Sequence, residues 1–115
     1  MGGGPRAGFP PRIGGIAPPP ASQKLRARLG LPPADFDVIE LNEAFAAQAL
    51  AVPRELGLAD DAARVNPFGG AIALGHPIGA SGTAITVKAL AELERTGERY
   101  ALISLCIGGG QGIAL

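Results

Sequence analysis

Apolar residues recur along this chain with two distinct periods. Phe36 to Leu41, read Phe-Asp-Val-Ile-Glu-Leu, predicts a strand, because β-branched Val38 and Ile39 favour a pleated backbone. Asn42 ends that run and suits the cap of a following helix. Phe45, Ala49, Val52 and Leu56 then fall at helical spacing along one face. Pro53 lies inside that pattern; it cannot donate to the ladder and its ring crowds the Ala49 carbonyl, costing about 3 kcal/mol in a regular helix. A kink or early stop is expected there.

A second helix is predicted from about Ala80 to Thr96, with Ala84, Val87 and Ala91 on an apolar face and Lys88, Glu92 and Arg95 on a wet one. Gly97 supplies its stop. Tyr100 to Cys106 is nearly continuous apolar sequence and predicts a strand buried on both faces. Gly108, Gly109 and Gly110 form a tight turn, and Ile113 to Leu115 opens a third strand. Upstream, Ser22 suits the cap of a helix through Leu25 and Leu29 to a stop at Gly30. Residues 1–20 hold many of the glycines and prolines without hydrophobic periodicity, and an extended or disordered head is expected. The division is thus a Gly/Pro-rich head, 1–20, and a folded part, 21–115. The order helix, strand, helix, helix, strand, strand is α/β in character.

Composition narrows the partners. A chain of 115 residues suits one domain that buries roughly two thirds of its unfolded surface. Ten basic residues balance ten acidic ones, so neither nucleic acid nor an anionic membrane is expected as a partner. Charged residues make up only 17% of the chain and the mean hydropathy is +0.26, values that place part of the surface against something else. The single cysteine excludes an internal disulfide and fits a reducing compartment, with the cytoplasm as the expected location. No apolar run reaches the roughly 18 residues that a membrane span needs. Prolines and glycines interrupt any apolar core a secretory signal would require. Arg6 and Arg12, with no acid before Asp35, faintly suggest a transit peptide, but the prolines oppose its amphipathic helix.

Three candidate chemical residues share one placement, the end of a strand or the side of a glycine turn. The only histidine, His76, lies within Gly-Gly-Ala-Ile-Ala-Leu-Gly-His-Pro-Ile-Gly-Ala-Ser-Gly, residues 69–82. Proline at 77 pushes His76 out of the helical region, and Gly75 and Gly79 allow close backbone approach. Asn42 follows the first strand and Cys106 ends the second, where sites gather in open α/β sheets. Plainer alternatives stand beside each: a helix cap for Asn42, an inert buried thiol for Cys106, a hairpin turn for residues 108–110 and a satisfied turn histidine for His76. One His and one Cys cannot supply the four ligands of a usual metal site.

Taken together, Asn42-Glu43-Ala44-Phe45, Gly75-His76-Pro77 and Cys106-Ile107-Gly108-Gly109-Gly110, in this order and spacing, resemble the C-terminal half of the thiolases. These are acyl-CoA acetyltransferases that join or cleave 3-oxoacyl-CoA. The resemblance runs from about Gly15 to Leu115, and the residues around 38–57 and 100–112 look like the 3-oxoadipyl-CoA thiolases of aromatic degradation. The Asn-Glu-Ala-Phe block points to the tetrameric biosynthetic and degradative branches, not the sterol-carrier type. The fold implied is α/β: an incomplete C-terminal half of the thiolase fold, a mixed sheet with covering helices that lacks its first two strands.

The resemblance also implies roles. A histidine matching His76 activates the acylated cysteine and donates into an oxyanion hole. A cysteine matching Cys106 is the second acid/base, moving the proton alpha to the acetyl thioester carbonyl. An asparagine matching Asn42 holds a water that stabilises the enolate oxygen, and the N–H matching Gly108 helps form the second oxyanion hole. Ala44 and Phe45 would lie beside the thioester end of the pantetheine arm. Substrates would be coenzyme A and its thioesters, with no permanently bound cofactor. The expected partner is the missing N-terminal thiolase half or a full-length thiolase subunit, in a family that usually forms homotetramers.

Departures temper this. The family's acylated cysteine belongs to the N-terminal half, so the chain given is expected to be inactive alone. The two absent strands would lie between the strand at 36–41 and the strand at 100–106, leaving the centre of the sheet open. The head to Arg12 matches no recognised thiolase block, and Pro53 and Phe68 replace the family's apolar helix former and asparagine. Two other readings remain beside the partial thiolase: a non-catalytic module that binds CoA esters or pairs with a thiolase, and an unfolded gene fragment.

Overall fold

The computed structural model describes residues 4–8 and 10–115. In chain order they form strand β1 (Arg6–Gly8), a 3-10 turn (Pro11–Ile16), helix α1 (Pro18–Leu29), a short 3-10 turn (Pro33–Asp35) and strand β2 (Val38–Leu41). Helices α2 (Ala46–Glu55), α3 (Ala71–Leu74) and α4 (Ser81–Thr96) follow, then strands β3 (Ala101–Cys106) and β4 (Gln111–Ala114). The sheet runs β1-β4-β3-β2. β2 and β3 are parallel, with Val38 opposite Ala101 and Leu41 opposite Ser104; β4 is antiparallel to β3 and β1 antiparallel to β4.

The sheet is therefore mixed and covered by helices. The open centre expected between the strands at 36–41 and 100–106 does not occur, because β2 and β3 are direct hydrogen-bonded neighbours. The other edge of β2 is paired as well. Ile39 donates to the Arg64 carbonyl at 2.8 Å and Asn66 donates to the Ile39 carbonyl at 2.8 Å, so residues 64–66 continue the sheet for one bridge. Both backbone edges of β2 thus find partners, which removes the penalty of a bare central strand.

The head also differs from its expected disorder. Among its described residues, β1 completes the sheet against β4, and Ala7, Ala17, Pro18 and Pro19 are buried. Three consecutive prolines open α1, where the first turn's N–H groups have no intrahelical acceptor and nothing is lost by lacking them. Ser22, expected as the cap, instead lies fully buried inside α1, its hydroxyl without a partner among the described residues.

Two cores sit on opposite faces of the sheet. Ile39, Leu41, Leu102 and Ala114 pack with Ala21 of α1 and Val52 and Leu56 at the end of α2. Val38 and Ile103 pack with Ile85 and Ala89 of α4. α2 runs through Pro53 to Glu55, with Leu56 as its C-cap, so the early stop expected at Pro53 does not occur; the proline falls in the last turn, where few helical bonds remain to be lost. α4 begins and ends near its expected limits, with Gly97 closing it in a left-handed conformation, but it is rotated. Its buried line is Ser81, Ile85, Ala89 and Glu92, whereas Val87 is 58% exposed and Leu90 60% exposed. Ala84, Val87 and Ala91, the expected apolar face, point outward.

Candidate functional site

β2 places Val38, Glu40 and Asn42 on the α4 face of the sheet by simple alternation. Asn42 follows the last residue of β2, and its N–H donates to the Ser104 carbonyl of β3 at 3.0 Å. Because the strands are parallel, Asn42 and Cys106 emerge at the same end of the sheet. The loop that carries His76 returns over that end.

Asn42 does not cap α2. That helix starts at Ala46 with no side-chain cap; Gln48 accepts the Ala44 N–H at 3.1 Å instead. The Asn42 side chain turns to His76, with Nδ2 3.4 Å from Nε2. His76 Nδ1 lies 2.7 Å from Ser81 Oγ, and that hydroxyl donates its only hydrogen to the Pro77 carbonyl at 3.1 Å. The ring is thus held by the Ser81 hydroxyl on one nitrogen and faces the Asn42 amide with the other; the tautomer with its proton on Nδ1 leaves the Nε2 lone pair toward Asn42, as a general base requires.

The His76 loop is pinned at several points. Asn66, with φ 47, accepts the Leu41 N–H at 2.8 Å and donates to the Leu41 carbonyl at 3.0 Å and to Glu43 Oε1 at 3.3 Å. Glu43 Oε2 accepts the Ile72 N–H at 2.9 Å. A Cβ on Gly70 would displace the Glu43 carboxylate that tethers the loop. Glu43 and Asn66 were not singled out in the sequence; the signal available was their place beside Asn42 and before the double glycine.

Glu40 is 1% exposed and forms an ion pair with Lys88 at 3.0 Å. Burial raises its pKa above the ordinary 4.5, and the hydrogen bond and charge of Lys88 oppose that rise. Lys88, expected on the wet face of α4, lies against the sheet because α4 is rotated. With Asn42, Gly75, Pro77 and Ser81 it lines a hollow of about 140 Å³ beside the histidine.

Cys106 is a half-buried free thiol. Alternation along β3 assigns it to the face of Leu102 and Ser104, and among the described residues no hydrogen bond joins it to Asn42 or His76. The structure thus brings Asn42 and His76 into contact and sets Cys106 at the same sheet end, with no hydrogen bond to either among the described residues. Gly108, Gly109 and Gly110 all have positive φ, 84°, 58° and 72°, as the tight turn requires. Gln111 N–H to the Gly108 carbonyl at 3.1 Å and Ile107 N–H to the Gln111 carbonyl at 3.0 Å close it. Phe45 is exposed on the rim of a separate apolar hollow of about 350 Å³, shared with Arg12, Ile16, Gln48 and Ala51. Ala44 is half-buried before α2. Among the described residues, no group of three or more His, Cys, Asp or Glu side chains could hold a metal, and no helix is long and apolar enough to cross a membrane.

The thiolase C-terminal domain family matches residues 3–115, taking in the head that the recognised blocks left out. The chain is 65% identical over 108 residues to a β-ketoadipyl-CoA thiolase of Acinetobacter baylyi, covering 94% of this chain and 27% of that protein. It is 63% identical over 109 residues to a β-ketoadipyl-CoA thiolase of Pseudomonas knackmussii, covering 95% and 27%. Among solved structures, the Bacillus anthracis acetyl-CoA acetyltransferase superposes with a TM-score of 0.92 at 48% identity, covering 96% of this chain and 28% of that one. Human mitochondrial 3-ketoacyl-CoA thiolase in complex with CoA gives 0.90 at 52% identity, covering 96% and 27%. The chain spans about a quarter of the length of the curated relatives it matches. It belongs to the thiolase family and corresponds to that family's C-terminal domain.

Proposed function

We propose that these residues supply one side of a thiolase active site that moves an acetyl or acyl group to or from coenzyme A, by 3-oxoacyl-CoA thiolysis or the reverse Claisen condensation. The observation that carries this is the Asn42–His76–Ser81 arrangement, in which Ser81 holds one ring nitrogen of His76 and the other faces the Asn42 amide at the end of β2. A neutral imidazole held through one ring nitrogen offers the other as a proton acceptor, which suits the activation of a thiol.

In this reading His76 takes the proton of a nucleophilic cysteine that becomes acylated, and then donates a hydrogen bond to the developing oxyanion. Cys106 removes the proton alpha to the acetyl thioester carbonyl in condensation, and returns it to the leaving enolate in thiolysis. Asn42, through a water, and His76 stabilise the enolate oxygen. The Gly108 N–H serves the second oxyanion hole; such fixed donors typically contribute a few kcal/mol each. Phe45 and Ala44 would border the pantetheine arm, a placement supported by the apolar hollow beside Phe45. The relatives named β-ketoadipyl-CoA thiolase favour 3-oxoadipyl-CoA as the substrate. Coenzyme A thioesters act as substrates, with no permanently bound cofactor, and the cytoplasm is the expected compartment.

The partner this requires is the part of a thiolase that carries the acylated cysteine, within the family's usual homotetramer. Its support is the exposed apolar side chains of Ile72, Leu74 and Ile78 on the loop and of Val87 and Leu90 on α4, of the kind that marks interaction sites when they cluster. The only cysteine in these 115 residues is Cys106, so they hold no second thiol to be acylated and are inactive alone. Incubating the isolated chain with acetyl-CoA and recording its intact mass tests this. No acetyl adduct and no thiolysis of acetoacetyl-CoA are expected, and turnover above background would sink the assignment of roles.

A further inference from the structure

We propose that Lys88, anchored by buried Glu40, is a positioning residue that holds the His76 loop in register with the end of β2. Lys88 Nζ makes two directed contacts, to Glu40 Oε2 at 3.0 Å and to the Gly69 carbonyl at 2.6 Å. Glu40 lies two residues before Asn42 on the same face of β2, so one ammonium ties the strand that carries Asn42 to the first residue of the loop that carries His76. Glu40 is 1% exposed, and among the described residues its Oε1 has no partner. A carboxylate this deep needs a cation, and Lys88 is the cation it has.

The loop cannot order itself. α3 is one turn of four residues, far below the length at which a helix is stable alone, and Ile72 and Leu74 on it are exposed. Its shape therefore depends on three anchors. Glu43 holds the Ile72 N–H in the middle, Ser81 holds the His76 ring at the end, and Lys88 holds the Gly69 carbonyl at the start. A charged donor on a carbonyl is the stronger kind of hydrogen bond. Removing it leaves the first three residues of the loop without a side-chain tether, and His76 moves relative to Asn42.

Three proteins test this by amide hydrogen exchange: the chain as given, Glu40→Gln, and the double variant Glu40→Gln/Lys88→Met. The double variant avoids stranding a buried charge, so it separates the loss of the Gly69 tether from simple misfolding. Amides of residues 71–76 should exchange about tenfold faster in the double variant, with those of β2 and β3 within about twofold of the parent. Glu40→Gln alone, which keeps the lysine on Gly69, should stay close to the parent. Equal loop protection in all three, or a sheet that loosens as much as the loop, would overturn the proposal.

The catalytic consequence rests on the thiolase reading above, and is measured in a chimera where these residues replace the matching segment of a β-ketoadipyl-CoA thiolase. There the double variant should lower kcat about tenfold while leaving KM for CoA within about twofold. A raised KM at unchanged kcat would overturn the positioning role. A parent chimera without turnover would sink the thiolase reading and the catalytic half of this proposal, while the exchange rates still decide the anchoring half.

Discussion

Asn66 does at residue scale what a strand does at larger scale. Its amide pairs with both the N–H and the carbonyl of Leu41, extending the edge of β2 past the bridge at Ile39 and Val65. Asn66→Ala removes these bonds and keeps a left-handed backbone that alanine tolerates poorly, so a loss of about 2–3 kcal/mol is expected in urea unfolding. A loss below about 0.5 kcal/mol would contradict the edge-pairing role. Asp37 caps the start of β3 in a related way, accepting the Tyr100 and Arg99 N–H groups at 2.9 Å and 3.1 Å. These bonds hold its pKa below the ordinary 3.8. A depressed carboxyl contributes stability above its unfolded pKa and loses it as pH falls through the folded value. Unfolding midpoints should therefore drop below about pH 3.8, and Asp37→Asn should flatten that drop. Identical slopes in the two proteins would remove Asp37 from the account. Glu40 runs the other way: its raised pKa favours the fold at low pH and that contribution fades as pH rises through it. The candidate residues themselves were legible, because the backbone punctuation of Gly75-His76-Pro77 and the strand-end position of Asn42 are local. Their hydrogen bonds were not. Nothing local distinguishes an asparagine that caps a helix from one that reaches a histidine 34 positions away.

Elements were legible where the signal was local and misread where packing decided. Gly30 and Gly97 stopped their helices, and β3 and the glycine turn stand where the apolar run and its punctuation placed them. The face of α4 was misread because alanines and β-branched residues lie all round it; only the tertiary choice to bury Ile85, Ala89 and the Lys88–Glu40 pair settles it. The triproline start of α1 was misread because proline was treated as a breaker, though a first turn accepts it. A tight contact fixes that helix to the sheet. A Cβ on Gly112 of β4 would collide with the Ala17 carbonyl and the backbone of Pro18. Gly112→Ala must push α1 off β4 and should cost about 1–3 kcal/mol in thermal or urea unfolding. An unchanged midpoint would show that α1 is free to shift.

For the molecule as a whole, the sheet's two cores are closed but one flank is not. Val87 and Leu90 lie outward on α4, and Ile72, Leu74 and Ile78 are exposed on the His76 loop. Val87→Asp should change the stability of the isolated chain by less than about 0.5 kcal/mol, since it removes no buried contact. A loss above about 1 kcal/mol would mean the face is already packed. The fold was legible to the level of a mixed α/β sheet with covering helices, since three separated motifs carry a family signature. Strand order was not, because parallel pairing of β2 with β3 joins residues some 60 positions apart and leaves no trace in local pattern.

The central claim is that Asn42, His76 and Cys106 form a working side of a thiolase site once the acylated cysteine is supplied. Its most direct test is the rate of 3-oxoadipyl-CoA thiolysis by the chimera that joins these residues to the remainder of a β-ketoadipyl-CoA thiolase, beside the same chimera with His76→Ala. Clear turnover is expected in the first and a fall of at least about a hundredfold in the second. A folded chimera without turnover, or one indifferent to the loss of His76, would contradict it.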